Sequence, residues 1–198
     1  PGEPVEETAL DPGVRIADAA SLGVVALKLL LVWRDDERRW ERHELARALV
    51  RLAAEHGLLS LLAVVVRGPA GFDEEAAIVE AARELGLLRP SLYACQVPLD
   101  GRGSPEAITA WCRQIDAVLP CPWVVLSRDV EPRALALAVE AACRGGASGA
   151  LAGLAVWAAA LDGGDPIRPL REDAVPRLRE LGDVVDRHGR PWREKLGA

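Results

Sequence analysis

Five short apolar runs alternate along the chain with amphipathic helical segments, and this alternation constrains the fold more than any single motif. The runs are Val24–Val32, Leu59–Val66, Leu92–Pro98, Trp123–Ser127 and Gly149–Ala155, each about the length of a buried strand. Between them lie helix starts with recognisable chemistry. Asp73 stands before Glu74-Glu75, Ser104 precedes Pro105 at a first helical position, and Glu131-Pro132 opens the stretch to Cys143. In 37–56, Trp40, Leu45, Leu49, Leu52 and Ala53 recur at helical spacing, and Gly57 supplies the stop. Strands that are apolar on both faces and separated by helices form a parallel sheet covered by those helices. The expected class is therefore α/β, as a doubly wound sheet or a (β/α) barrel, and the pattern alone leaves both open.

With 198 residues, half of them hydrophobic, the chain can bury one sizeable core. The Gly-, Pro- and Glu-rich stretch 1–13 reads as part of an N-terminal tail or linker, residues 1–19, ahead of a single unit over 20–198. A net charge of -6 gives no electrostatic case for nucleic acid or an anionic membrane. The longest apolar runs are too short to span a bilayer and there is no signal-peptide pattern, so the expected location is cytoplasmic. Cys95, Cys112, Cys121 and Cys143 have no CxxC spacing and no clustered His, which points to reduced structural thiols, no metal site and no cofactor. The sequence contains two lysines, Lys28 and Lys195, so any imine-forming chemistry has two candidate nucleophiles.

Five motifs occur in order: Ala26-Leu27-Lys28-Leu29-Leu30, Leu58 to Arg67, Leu92-Tyr93-Ala94-Cys95-Gln96-Val97-Pro98-Leu99, Pro122 to Ser127, and Gly146 to Trp157. Together they resemble the class I aldolases of the tagatose-1,6-bisphosphate aldolase group, and most closely the sulfofructose-1-phosphate aldolases, over residues 20–190. The resemblance implies an incomplete (β/α)8 TIM barrel, with about five strand-helix units corresponding to strands four to eight and site residues at the C-terminal ends of the strands. It also implies that Ala94 stands where the family has its Schiff-base lysine and Gln96 where it has a carboxylate. Ala63 replaces the Glu that handles protons, and Leu154 replaces an Arg that grips the anionic end of the substrate. Ser127 is kept, with Gly153 and Arg67 as further substrate-binding candidates, while Arg128-Asp129 replaces a small-residue pair at the phosphate. Lys28 matches the fourth-strand lysine, normally an electrostatic helper.

Imine chemistry needs an amine nucleophile, an acid/base and an anion clamp. Their replacement by Ala94, Ala63 and Leu154 leads to the expectation of an aldolase-fold protein that has lost Schiff-base catalysis and acts as a binding or partner subunit. The alternative is a class I aldolase cleaving a ketose phosphate or sulfoketose phosphate through Lys28. Transaldolases carry their lysine on the fourth strand of a similar barrel, and the flanking leucines could desolvate the amine. The expected ligand is a sugar phosphate or sulfosugar phosphate.

Barrels of this type take about 250 residues or more, and five strands cannot close eight. The remaining strands come from upstream sequence, from a protein partner or homo-oligomer that completes the barrel, or their place is capped by the tail; assembly with another chain is the working expectation. His43, His56 and His188 read as helical or helix-end histidines, Asp35-Asp36-Glu37 as an acidic helix start, and Asp162-Gly163-Gly164-Asp165 as a loop without phosphate-loop spacing. Trp33, Trp123 and Trp157 are expected to fill the barrel.

Overall fold

The computed structural model describes residues 8–9, 15–127, 130–161 and 165–196. A short helix α1 (Ile16–Ser21) leads into β1 (Ala26–Trp33), α2 (Arg39–Glu55), β2 (Leu59–Val66), α3 (Glu74–Gly86), β3 (Leu92–Gln96), α4 (Pro105–Val118), β4 (Trp123–Leu126), α5 (Leu135–Arg144) and β5 (Ala150–Leu151). A C-terminal helix, Val175–His188, completes the unit. The strands form one parallel sheet in the order β1-β2-β3-β4-β5.

This order settles the choice that the sequence pattern left open. A doubly wound sheet reverses its strand order partway so that helices cover both faces. Here each strand pairs with the next in sequence, and right-handed crossovers then put every helix on the same side. The sheet is an arc of a (β/α) barrel with an outer, helix-covered face and an inner face. Among the described residues neither β1 nor β5 has a second neighbour, so the barrel is incomplete.

Alternation along the strands separates two apolar layers. Leu29, Leu31, Trp33, Leu62, Val64, Val66, Tyr93, Cys95, Trp123 and Val125 face the helices. Val32, Ala63, Val65, Ala94, Val124 and Leu126 form the smaller inner cluster.

The helix starts follow the capping chemistry. Asp73 accepts from the Ala76 N–H at 3.0 Å and Ser104 from the Ala107 N–H at 3.2 Å. Gly57, at φ +66°, takes the left-handed conformation that ends α2. Other boundaries shift for local reasons. α2 begins at Arg39 because Asp36 first makes a turn, its carboxylate accepting from the Arg38 N–H and its carbonyl from the Arg39 N–H. α5 begins at Leu135 after a turn closed by the Ala134 N–H on the Glu131 carbonyl. The run 149–155 yields only a two-residue strand, and Leu154–Trp157 is helical, since a short apolar run carries no periodicity that separates the two states.

Trp33 and Trp123 do not fill the barrel interior, as the sequence suggested. Both lie in the sheet–helix layer, where their indole N–H groups find carboxylate acceptors: Trp33 donates to Glu84 at 2.9 Å and Trp123 to Asp116 at 3.0 Å. Arg39 caps the first pair, bonding Glu84 at 2.8 Å with its guanidinium 5.0 Å from the Trp33 ring centre. Trp157 is 38% exposed.

α1 starts inside the stretch read as a tail. Thr8 reaches β1, its hydroxyl donating to the Leu30 carbonyl at 2.7 Å. Val25 and Trp33 turn their carbonyls to β2, so the even-numbered Leu30 carbonyl points to the free edge of the sheet, where Thr8 satisfies it.

Candidate functional site

The inner face is built in layers read from the strand register. Lys28 pairs with Leu61, and Leu61 with Leu92. One layer nearer the C-terminal ends, Leu30 pairs with Ala63, Ala63 with Ala94, and Ala94 with Val124. Gln96 and Leu126 belong to the next layer, with Leu151 beside Leu126. Ala63 and Ala94 are thus immediate neighbours, both fully buried, and their methyl groups are flanked by Leu30 and Val124.

Lys28 lies on this face but one layer toward the N-terminal ends, and its side chain is exposed. The desolvation expected from its leucine neighbours does not occur: Leu29 and Leu31 point to the opposite, helix-covered side. The second lysine, Lys195, is remote from this layer and is bound to Asp116 at 2.6 Å.

At the C-terminal ends, Gln96 is 2% exposed and fully engaged. Its Oε1 accepts from the Val66 N–H at 2.5 Å, and its Nε2 donates to Glu74 Oε1 at 2.8 Å. Glu74, in the first turn of α3, has its carboxyl pushed above the usual value, first by burial and then by the charges of Asp100 and Glu75; Arg67 and the Gln96 amide act the other way. Glu75 accepts from the Leu99 N–H at 3.1 Å, fixing a turn in which Leu99 and Asp100 both have positive φ, 59° and 50°.

Arg67 follows β2, and its Nη1 donates to the Val66 carbonyl at 2.9 Å. It also lines a cleft of about 780 Å³ with Trp33, Arg34, Phe72, Asp73 and Glu80, at the C-terminal ends of β1 and β2. Ser127 is buried and accepts from the Gly153 N–H at 3.3 Å, which joins the ends of β4 and β5. Leu154 is 65% exposed. Arg128, Asp129 and 162–164 lie outside the described residues.

The structure therefore brings together Ala63, Ala94, Gln96 and Arg67 on two adjacent strands, and separately Ser127 with Gly153. Glu74 was missed as a site residue because it read as a helix-start acid. The usable signal was its position: the first turn after a barrel strand lies at the end of the sheet where such sites form. His43 is in α2, His188 ends the C-terminal helix, and Asp35 and Asp36 pair with Arg39 and Arg42. All four cysteines are free and buried, and burial pushes their thiols up, Cys112 to about 12 and Cys121 and Cys143 to about 11. No described helix is long and apolar enough to cross a membrane.

Sequential parallel strands with helices on one side define a (β/α) barrel architecture, whose sites lie at the strand C-termini. The chain belongs to the DeoC/LacD family of aldolases, whose pattern matches residues 9–159. Its fold is similar to that of an archaeal fructose-1,6-bisphosphate aldolase whose catalytic Lys is covalently bound to the carbinolamine intermediate; TM-score is 0.64 at 20% identity, over 93% of this chain and 66% of that one. It is also similar to the fructose-bisphosphate aldolase from Slackia heliotrinireducens DSM 20476, with TM-score 0.63 at 20% identity over 90% of this chain and 61% of that one. The chain thus spans just under two thirds of the length of these aldolases.

Proposed function

We propose that this DeoC/LacD-family chain resembles the tagatose-1,6-bisphosphate and sulfofructose-1-phosphate aldolases, has lost Schiff-base catalysis and acts as a non-catalytic binding or partner subunit. One observation carries the reading: Ala63 and Ala94 are neighbours in register and fully buried, so methyl groups fill the layer where imine chemistry would need an amine and a proton carrier. The groups that remain at the C-terminal ends, Arg67, Ser127 and the Gly153 backbone, suit contact with the anionic end of a sugar phosphate or sulfosugar phosphate. Strands from a partner or a second copy would pair with the free edges of β1 and β5 and cover the inner face.

A second reading rests on Lys28, which shares the inner face with Ala63 and Ala94 and so could serve as a displaced imine-forming lysine in a class I aldolase. Borohydride trapping with dihydroxyacetone phosphate, followed by intact mass, separates the two. The expected result is no adduct in a sample that unfolds cooperatively. A stoichiometric adduct that disappears in Lys28→Ala overturns the non-catalytic reading in favour of the lysine. Light scattering and calorimetry test the partner role, and a monodisperse monomer with a cooperative melt counts against it.

A further inference from the structure

A basic cleft lies at the end of the molecule opposite the strand C-termini. It has a volume of about 530 Å³ and is formed where α4, the end of α5 and the chain after the C-terminal helix converge. Arg113 comes from α4, Arg144 from α5, His188 from the last residue of the C-terminal helix and Arg190 from the segment beyond it. The backbones of Gly145, Gly146 and Gly189 line it too, with the Asp116 carboxylate packed against Gly146 and backbone carbonyls against Gly145 and Gly189.

The ion pairs around this cleft leave positive charge over. Asp116 is shared by Arg190 at 3.2 Å and Lys195 at 2.6 Å, and it also accepts from Trp123. Glu140 is likewise shared, by Arg144 at 2.6 Å and His188 at 3.6 Å. Arg113 has no ion pair among the described residues, and the remaining carboxylate, Glu194, is on the exposed rim. Arg113, Arg144, Arg190 and Lys195 thus stand against Asp116, Glu140 and Glu194. This surplus sits on a chain whose overall charge is -6. One cation near the C-terminal end of each helix would complement the helix dipoles. Convergence of side chains from four segments on a single concavity exceeds that need.

We propose that this cleft binds a small anion bearing phosphoryl groups. Arg113 and Arg144 would offer guanidinium N–H donors, whose planar fork matches phosphate oxygens. The site is independent of the Ala94 layer and would operate whether or not the chain catalyses anything.

The test is isothermal titration of the full chain with inorganic phosphate and with pyrophosphate, at ionic strength held constant with chloride. The amide NMR signals of Gly145, Gly146 and Gly189 are followed in parallel. Pyrophosphate is expected to bind saturably and more tightly than phosphate, because it can span two cations. Arg113→Ala should weaken binding roughly tenfold or more, since a charge-assisted contact is lost. It should leave the melting temperature unchanged, as Arg113 has no described ion pair to lose. Glu194→Gln should tighten binding, and Arg51→Ala, on exposed α2 surface, should leave it unchanged. No saturable binding, equal affinity for the two anions, or the same loss in Arg113→Ala and Arg51→Ala overturns the proposal.

Discussion

Replacing Gln96 with Glu changes one atom's chemistry at a buried position and tests the contact that organises the strand ends. The Gln96 amide now donates to Glu74 at 2.8 Å; in Gln96→Glu two carboxylates would meet at that separation, while the acceptor for the Val66 N–H is kept. Two like charges 2.8 Å apart repel by about 6 kcal/mol at an effective dielectric near 20 and by about 1.5 kcal/mol in bulk water. Glu74 is half-buried and lies between these limits, so about 3 kcal/mol is the working figure, with about 1 kcal/mol more for the lost hydrogen bond. Urea denaturation should therefore give a loss of about 4 kcal/mol at pH 8.

The sign with pH follows from the raised carboxyl. A group whose folded-state pKa lies above its unfolded value binds more protons when folded, so stability falls as pH rises through that window. The Gln96→Glu penalty should shrink by about 1 kcal/mol between pH 8 and pH 6, as the pair begins to hold one proton, and by about 1.4 kcal/mol for each further unit toward the unfolded carboxyl value. The exchanged pair, Gln96→Glu with Glu74→Gln, restores one charge and one amide and should return to within about 1 kcal/mol of the parent. A penalty that is the same at pH 6 and pH 8, or that survives in the exchanged pair, would refute the claim that these two side chains meet.

Glu74→Gln alone should flatten the dependence of stability on pH above 4.5, because in the parent the raised Glu74 carboxyl makes stability decline as pH rises from that value; urea titrations across pH 5–8 would read the difference in slope. Asp116→Ala should cost about 2–4 kcal/mol in chemical denaturation, since it strands the fully buried Trp123 indole N–H and unpairs Lys195. The four cysteines should resist a thiol reagent at pH 8 in the native protein and react together in urea, because all four are buried with raised thiols. Rapid labelling of any of them under native conditions would contradict their placement.

The architecture was legible because strand and helix signals in this chain obey local rules. Asp73 and Ser104 cap helices where the sequence places caps, and Gly57 ends α2 in the conformation that glycine permits. The choice of a barrel arc over a doubly wound sheet was not legible from composition, because strand order is a long-range property; it came from ordered motif resemblance. The two tryptophans were misplaced for a related reason. A strand position fixes which face a residue takes, and Trp33 and Trp123 fall on the face where Glu84 and Asp116, 51 and 7 residues away, wait for their N–H groups. No periodicity reports such partners. The shortness of β5 was hidden as well, since Ala and Leu suit either state and the Ser127–Gly153 hydrogen bond decides where the strand stops.

Site chemistry was harder to read than fold because alanine is silent in sequence. Ala63 and Ala94 are ordinary core residues by any propensity argument; the motif resemblance singled them out, and the strand register sets them side by side on the inner face. Lys28 is the opposite case, conspicuous in sequence but set two residues, about 6.6 Å of strand rise, toward the N-terminal ends of the sheet. Its side chain is exposed, outside the enclosed layer that holds Ala63 and Ala94. The polar groups at the opposite ends, Gln96, Glu74, Arg67 and Ser127, are each already bonded to backbone or to one another. Of these, Arg67 and Ser127 suit an anion while the Glu74 carboxylate repels one, and none of them is a nucleophile aimed into the inner layer. Binding, rather than turnover, is therefore the property by which this face should first be assayed.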